Sequence, residues 1–247
     1  MANIDFSAQI MAARMKISRT AVWSSLKSAI ALMLIMWTVG NFIGLSFCFL
    51  RLTGRIKVRN AGILRKAIAQ KKAIVLICNH PSLWEPPWLS ALFFPFYLFS
   101  ARLIPVSTPD KKNYYDKCWY WVARPASIPI ERGNHREEVK ALRMMGKVIE
   151  RRGVMVLFAE GGRTFKGTPE AMRYSLSGRK IRRFFKEGIR RLAADPDQVA
   201  FIPVWTEDGK VMPNRDRVSG FGLSFPRIWR QTIITIGEQV DLSGTQP

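Results

Sequence analysis

Between Lys27 and Arg51 the chain runs from Ser28 to Leu50, 23 residues, without one charge. No other feature restricts the fold as much. At ~1.5 Å per residue a helix of this length reaches about 35 Å, enough to cross a hydrocarbon core of ~30 Å. A single spanning helix is the expectation. A bent hairpin in one leaflet, which Gly40-Asn41 and Gly44 would permit, and a buried helix of a soluble protein are the alternatives. The run starts too late, and lacks the small-residue cleavage site, for a simple signal peptide. Basic residues stand on both sides: Arg14, Lys16, Arg19 and Lys27 before, Arg51, Arg55, Lys57 and Arg59 after. The positive-inside rule therefore does not choose an orientation. Residues 1–52 are read as an N-terminal membrane-anchoring segment and 53–247 as one further domain.

In that domain, short apolar runs alternate with stretches of helical spacing. Strands are expected from Ile56, over Ala73–Ile77, over Val154–Phe158, over Val199–Val204 and over Thr232–Gly237. Helices are expected over Leu64–Gln70, from Asn134 toward Gly153, and over the basic stretch Lys180–Ala194. Asn134 with Glu137 three residues on reads as a capping box, and Gly153 as the C′ stop. Such alternation indicates an α/β fold: a central, mainly parallel or mixed sheet flanked by helices.

Two strand ends carry the chemistry. Ala73–Ile77 leads into Cys78-Asn79-His80-Pro81-Ser82-Leu83-Trp84-Glu85. On an unbroken helix, an offset of five residues would turn Glu85 about 140° from His80. Pro81 and Pro86-Pro87 break that geometry and push Glu85 out of the helical region, so a turn could fold the carboxylate back onto the imidazole. Val154–Phe158 leads into Ala159-Glu160-Gly161-Gly162-Arg163-Thr164. Two glycines there let backbone N–H groups approach an anion, and an arginine adds a bidentate grip on phosphate. A plain loop and a plain turn are the competing readings of the two stretches.

Together these residues resemble the glycerolipid acyltransferases, the family that includes the 1-acyl-glycerol-3-phosphate acyltransferases. Asn79, His80 and Glu85 match its first motif, with glutamate where aspartate is usual. Ile128-Pro129-Ile130-Glu131-Arg132 matches its second, and Glu160-Gly161-Gly162-Arg163 its third, with glycine where threonine is common. Phe201-Ile202-Pro203-Val204 matches its fourth. All four occur in the family's order, over roughly residues 55 to 240. The resemblance implies an O-acyltransferase of phospholipid biosynthesis. His80 would be the general base and Glu85 its orienting acid. Asn79, Arg132, Glu160, Gly161, Gly162, Arg163 and Pro203 would hold substrate. The acceptor would attack directly, without acyl-enzyme, metal or bound cofactor. Acyl-CoA or an acidic acyl carrier protein would be the donor, and an anionic lysolipid the acceptor. A lyso-glycolipid or lyso-aminolipid acceptor remains open.

Charge and cysteines narrow the setting. Lys+Arg of 39 against Asp+Glu of 18 gives +21, an excess that suits lipid headgroups, an acidic carrier or nucleic acid. Arg179-Lys180-Ile181-Arg182-Arg183 with Phe184-Phe185 would serve the last of these in a non-catalytic binding protein. No nucleic-acid motif accompanies it, and the uncharged run has no purpose there, so membrane lipids are the expected partners. His80 and His135 are the only histidines, which excludes a multi-histidine metal site. Cys48, Cys78 and Cys118 lack disulfide or metal spacing and suit a reducing compartment. The catalytic domain is expected membrane-associated on the cytoplasmic face. Two aromatic-rich stretches, Leu83–Ile104 and Tyr114–Trp121, read either as core or as surfaces meeting lipid.

Overall fold

The structure is a computed structural model and describes residues 30–81, 85–158, 173–174, 180–181, 198–207 and 229–240. A long helix, α1 (Ile30–Leu52), takes in the described part of the uncharged run, from residue 30, as one continuous helical stretch that is long and apolar enough to cross a membrane. It does not fold back on itself within these residues. The bend that Gly40 permitted is instead a π-helical turn, Met36–Gly40, a local widening with i→i+5 bonds.

Six strands form one mixed sheet: β1 (Ile56–Arg59), β2 (Ala73–Cys78), β3 (Pro105–Ser107), β4 (Val154–Phe158), β7 (Val199–Glu207) and β8 (Thr232–Ile236). Their spatial order is β1-β8-β7-β2-β4-β3. β7, β2, β4 and β3 are parallel. β8 runs against β7, and β1 runs with β8. β2 is buried at every residue, as a central strand covered on both faces must be, and its unbroken apolar sequence follows from that.

The two faces are packed differently. One carries Ile74, Leu76 and Cys78 of β2 against α1, α2 (Ala61–Ala69) and α3 (Glu85–Ala91). The other carries Val75 and Ile77 against α5 (His135–Glu150), α4 (Phe96–Phe99) being a short turn between. Asn134 caps α5 by accepting from the Glu137 N–H, as its sequence predicts. The helix stops one residue earlier than predicted. Arg152 takes the left-handed conformation (φ 53°), while the Gly153 N–H donates to the Val148 carbonyl at 2.8 Å. Gly153 is needed for space: a Cβ there would lie 2.8 Å from Val148 Cγ1.

Other boundaries shift for physical reasons. β7 continues past Pro203 to Glu207. The N–H that proline lacks falls where β8 has already ended, and the Pro203 carbonyl still accepts from Gly237. Lys180–Ile181, read as the start of a helix, forms a strand (β6) paired antiparallel with β5 (Arg173–Tyr174). The remainder of that expected helix lies outside the described residues.

Candidate active site

Parallel strands that end at one edge gather the residues just beyond them into one place. β2 ends in Asn79 and His80, β4 in Phe158, and β3 leads to Asp110. Asn79 completes the end of β2 by acting as a surrogate strand residue. Its Nδ2 donates to the Thr206 carbonyl at 2.9 Å, and its Oδ1 accepts from the Thr206 N–H at 2.7 Å. Both bonds are buried. They hold the backbone that presents His80 against the far end of β7.

The His80 ring stacks on Phe158, centroids 4.3 Å apart, and its Nδ1 lies 3.1 Å from Glu85 Oε2. Glu85 is 1% exposed and the His80 side chain 13%. The acid is thus sealed behind the ring while the imidazole retains access to solvent. Glu85 reaches this place differently from expectation. The prolines do not expel it from a helix; it is the first residue of α3, with Pro86 and Pro87 in the first turn. Helical N–H groups in a first turn have no acceptor within the helix, so prolines there cost nothing. Trp88, one turn on, is buried against Phe47 of α1. The sequence gives no sign of that partner.

A carboxylate only accepts hydrogen bonds, so the Glu85 contact fixes the proton on Nδ1 and leaves Nε2 as the basic nitrogen. The Cys78 thiol, two residues before His80, is the other group here that could act as a nucleophile, and it is buried. Burial first, and the neighbouring Glu85 charge second, push its thiol above the ordinary range, which suppresses the thiolate that would attack.

Arg132 comes after a segment, 127–130, that pairs alongside 107–110 beyond β3. Three strand spacings of ~4.8 Å put that segment about 14 Å from β2. Arg132 therefore stands at the same edge as His80 but does not share its contacts. It is 47% exposed, and its Nε faces Asp110 Oδ2 at 3.5 Å, a loose pair. Beside it, Lys111 donates to Glu131 at 2.7 Å. Pro203 sits within β7, paired with Ile77, one residue short of the position that meets Cys78. Glu160, Gly161, Gly162 and Arg163 lie outside the described residues. Among the described residues no group of three His, Cys, Asp or Glu is placed to hold a metal ion. Phe158 was legible only in part: its strand was clear, its ring contact with His80 was not.

The family model described as Acyltransferase matches residues 55–207, more than half of the chain. The chain belongs to this acyltransferase family. No curated protein matches it. The matched span of this acyltransferase begins three residues after α1 and closes on the last residue of β7, so it holds β2, α3 and the His80–Glu85 pair.

Proposed function

We propose that this acyltransferase moves a fatty acyl group from an acyl thioester, acyl-CoA or acyl carrier protein, to a hydroxyl of a lysophospholipid. The acceptor we assign is 1-acyl-glycerol-3-phosphate. The observation that carries the reading is the sealed Glu85 carboxylate on Nδ1 of a histidine that still meets solvent.

In this reaction the acceptor hydroxyl gives its proton to His80 Nε2 as its oxygen adds to the thioester carbonyl. Glu85 favours the imidazolium that develops. The tetrahedral oxyanion collapses, the C–S bond breaks, and the leaving thiolate takes the proton back from the imidazolium. Stabilising that oxyanion needs donors near the carbonyl, a role that the Glu160–Arg163 segment suits by its glycines. The acceptor's phosphate suits Arg132, whose loose pair with Asp110 leaves its guanidinium open to a stronger anion. The apolar α1 supports a membrane setting, in which donor chain and lysolipid are both at hand.

The purified full-length protein, given radiolabelled acyl-CoA or acyl carrier protein and lysolipids of differing headgroup, should label the phosphomonoester acceptor fastest. His80→Ala should give no labelled product while melting at the parent temperature. Faster labelling of a glycolipid or aminolipid would reassign the acceptor. Product from a folded His80→Ala protein would remove His80 as the base.

A further inference from the structure

The excursion between β3 and β4 inverts the usual distribution of polar and apolar groups. Residues 111–126 leave the sheet edge at Asp110 and return at Ser127. Their inner side is polar. The Tyr120 hydroxyl meets Ser127 Oγ at 3.0 Å, and Ser127 Oγ meets Ser107 Oγ at 3.1 Å and donates to the Ala123 carbonyl at 2.8 Å. The Arg124 guanidinium donates to the carbonyls of Tyr115 and Lys117. The outer side is aromatic: Trp119 is 61% exposed and Trp121 64%. Trp119 is steadied edge-on by Tyr114 and Tyr120. Exposed tryptophans over a braced polar base, one of them held edge-on by two tyrosines, are not a failed core; they present an amphipathic surface.

The position of this surface says what it meets. Because β1 and β8 run against β2 and β3, they begin at the edge where the parallel strands end. The end of α1, with exposed Leu52, and exposed Trp229 before β8 therefore share that edge with Asp110 and His80. Exposed Lys112 and Lys117 accompany Trp119 and Trp121, against a single acid in the excursion, Asp116. Interfacial tryptophans beside lysines match the headgroup layer of an anionic bilayer.

We infer that residues 111–122 are a second membrane contact, separate from α1, which seats Trp119 and Trp121 among anionic lipid headgroups and turns the His80 edge toward the bilayer. It draws on the acyl-transfer reading only in treating that edge as the reactive one. Cys118, exposed beside Trp119, offers the probe. A fluorophore on Cys118 in a Cys48→Ala full-length protein would be bound to phosphatidylcholine vesicles with or without phosphatidylglycerol, each carrying nitroxide lipids labelled near the headgroup. Quenching by the nitroxide lipid is expected on phosphatidylglycerol vesicles. It should be lost in Trp119→Ala/Trp121→Ala while the protein still floats with the vesicles through α1. A label that stays open to an aqueous quencher overturns the proposal. So does one shielded from both quenchers, which would mean a protein partner. Trypsin cleavage after Lys117 in the unlabelled protein is the independent check: phosphatidylglycerol vesicles should slow it, and the double variant should restore it. An unchanged cleavage rate rejects the contact. Neither measurement reads turnover, so both stand even if the acyl-transfer reading fails.

Discussion

Glu85→Gln removes the charge behind His80 while keeping the shape. An amide can also donate to Nδ1 and hold the ring in the wrong tautomer, so kcat should fall by about 10²–10⁴-fold with KM little changed, read from steady-state kinetics. Asn79→Ala acts elsewhere. It strands the buried Thr206 N–H and carbonyl, and should cost about 1–3 kcal/mol in a thermal melt. Arg132→Lys should barely move the melt, because an exposed pair at 3.5 Å contributes ~0–1 kcal/mol. It should lower kcat/KM for a phosphomonoester acceptor against a neutral one, since an ammonium offers no fork; an unchanged ratio would free Arg132 of any acceptor role. That His80 and Glu85 meet was legible from the motif they match and not from the prolines, which were expected to keep Glu85 out of a helix and instead stand with it in the first turn of α3. Asn79 was legible only as part of a motif. Its partner lies 127 residues away, and no local pattern announces which distant backbone a buried amide will meet.

The packing of α1 on the elements around Glu85 is the joint most open to test. Phe47 stacks on Trp88 at 6.2 Å, the Tyr97 hydroxyl donates to the Gly40 carbonyl at 2.6 Å, and Phe94 fills the notch at Gly44. A Cβ on Gly44 would lie 2.3 Å from the Phe94 ring. Gly44→Ala should therefore force α1 off its seat and cost about 1–3 kcal/mol by thermal melt. Gly62→Ala is the control: in α2, with nothing within 4 Å of the added Cβ, it should stabilise by about 0.4–1 kcal/mol. Equal melting temperatures for the two variants would mean that α1 does not bear on the domain. Element types were largely readable from period and burial. Their limits were not, where backbone geometry decides: Arg152 takes the left-handed turn that a glycine was expected to take, and α3 begins on the acid that prolines were expected to exclude.

At the scale of the molecule, α1 is both apolar surface and part of the core, since Phe47 is buried against the domain. A chain beginning at Ile56 should consequently melt lower as well as lose its main apolar helix. It should still bind anionic vesicles through its basic surface, and release them as salt shortens the screening length from ~10 Å at 0.1 M to ~3 Å at 1 M. Salt-resistant binding, measured by co-sedimentation, would assign the residual affinity to aromatics instead. An α/β sheet was evident from the alternation of runs, but the reversal of β8 and β1 was not, because hydrophobic period carries no strand direction. That reversal sets an order of assembly. β1 is among the first parts of the domain to leave the ribosome, yet its neighbour is β8; Asn60 and the Ile236 carbonyl that it bonds are 176 residues apart. A nascent chain stalled before Thr232 has no partner for β1, and such distant pairings form late and slowly. The strand that follows α1 is thus seamed into the sheet only by β8, and ribosome-bound chains of increasing length should become protease-resistant around β1 only once β8 has emerged.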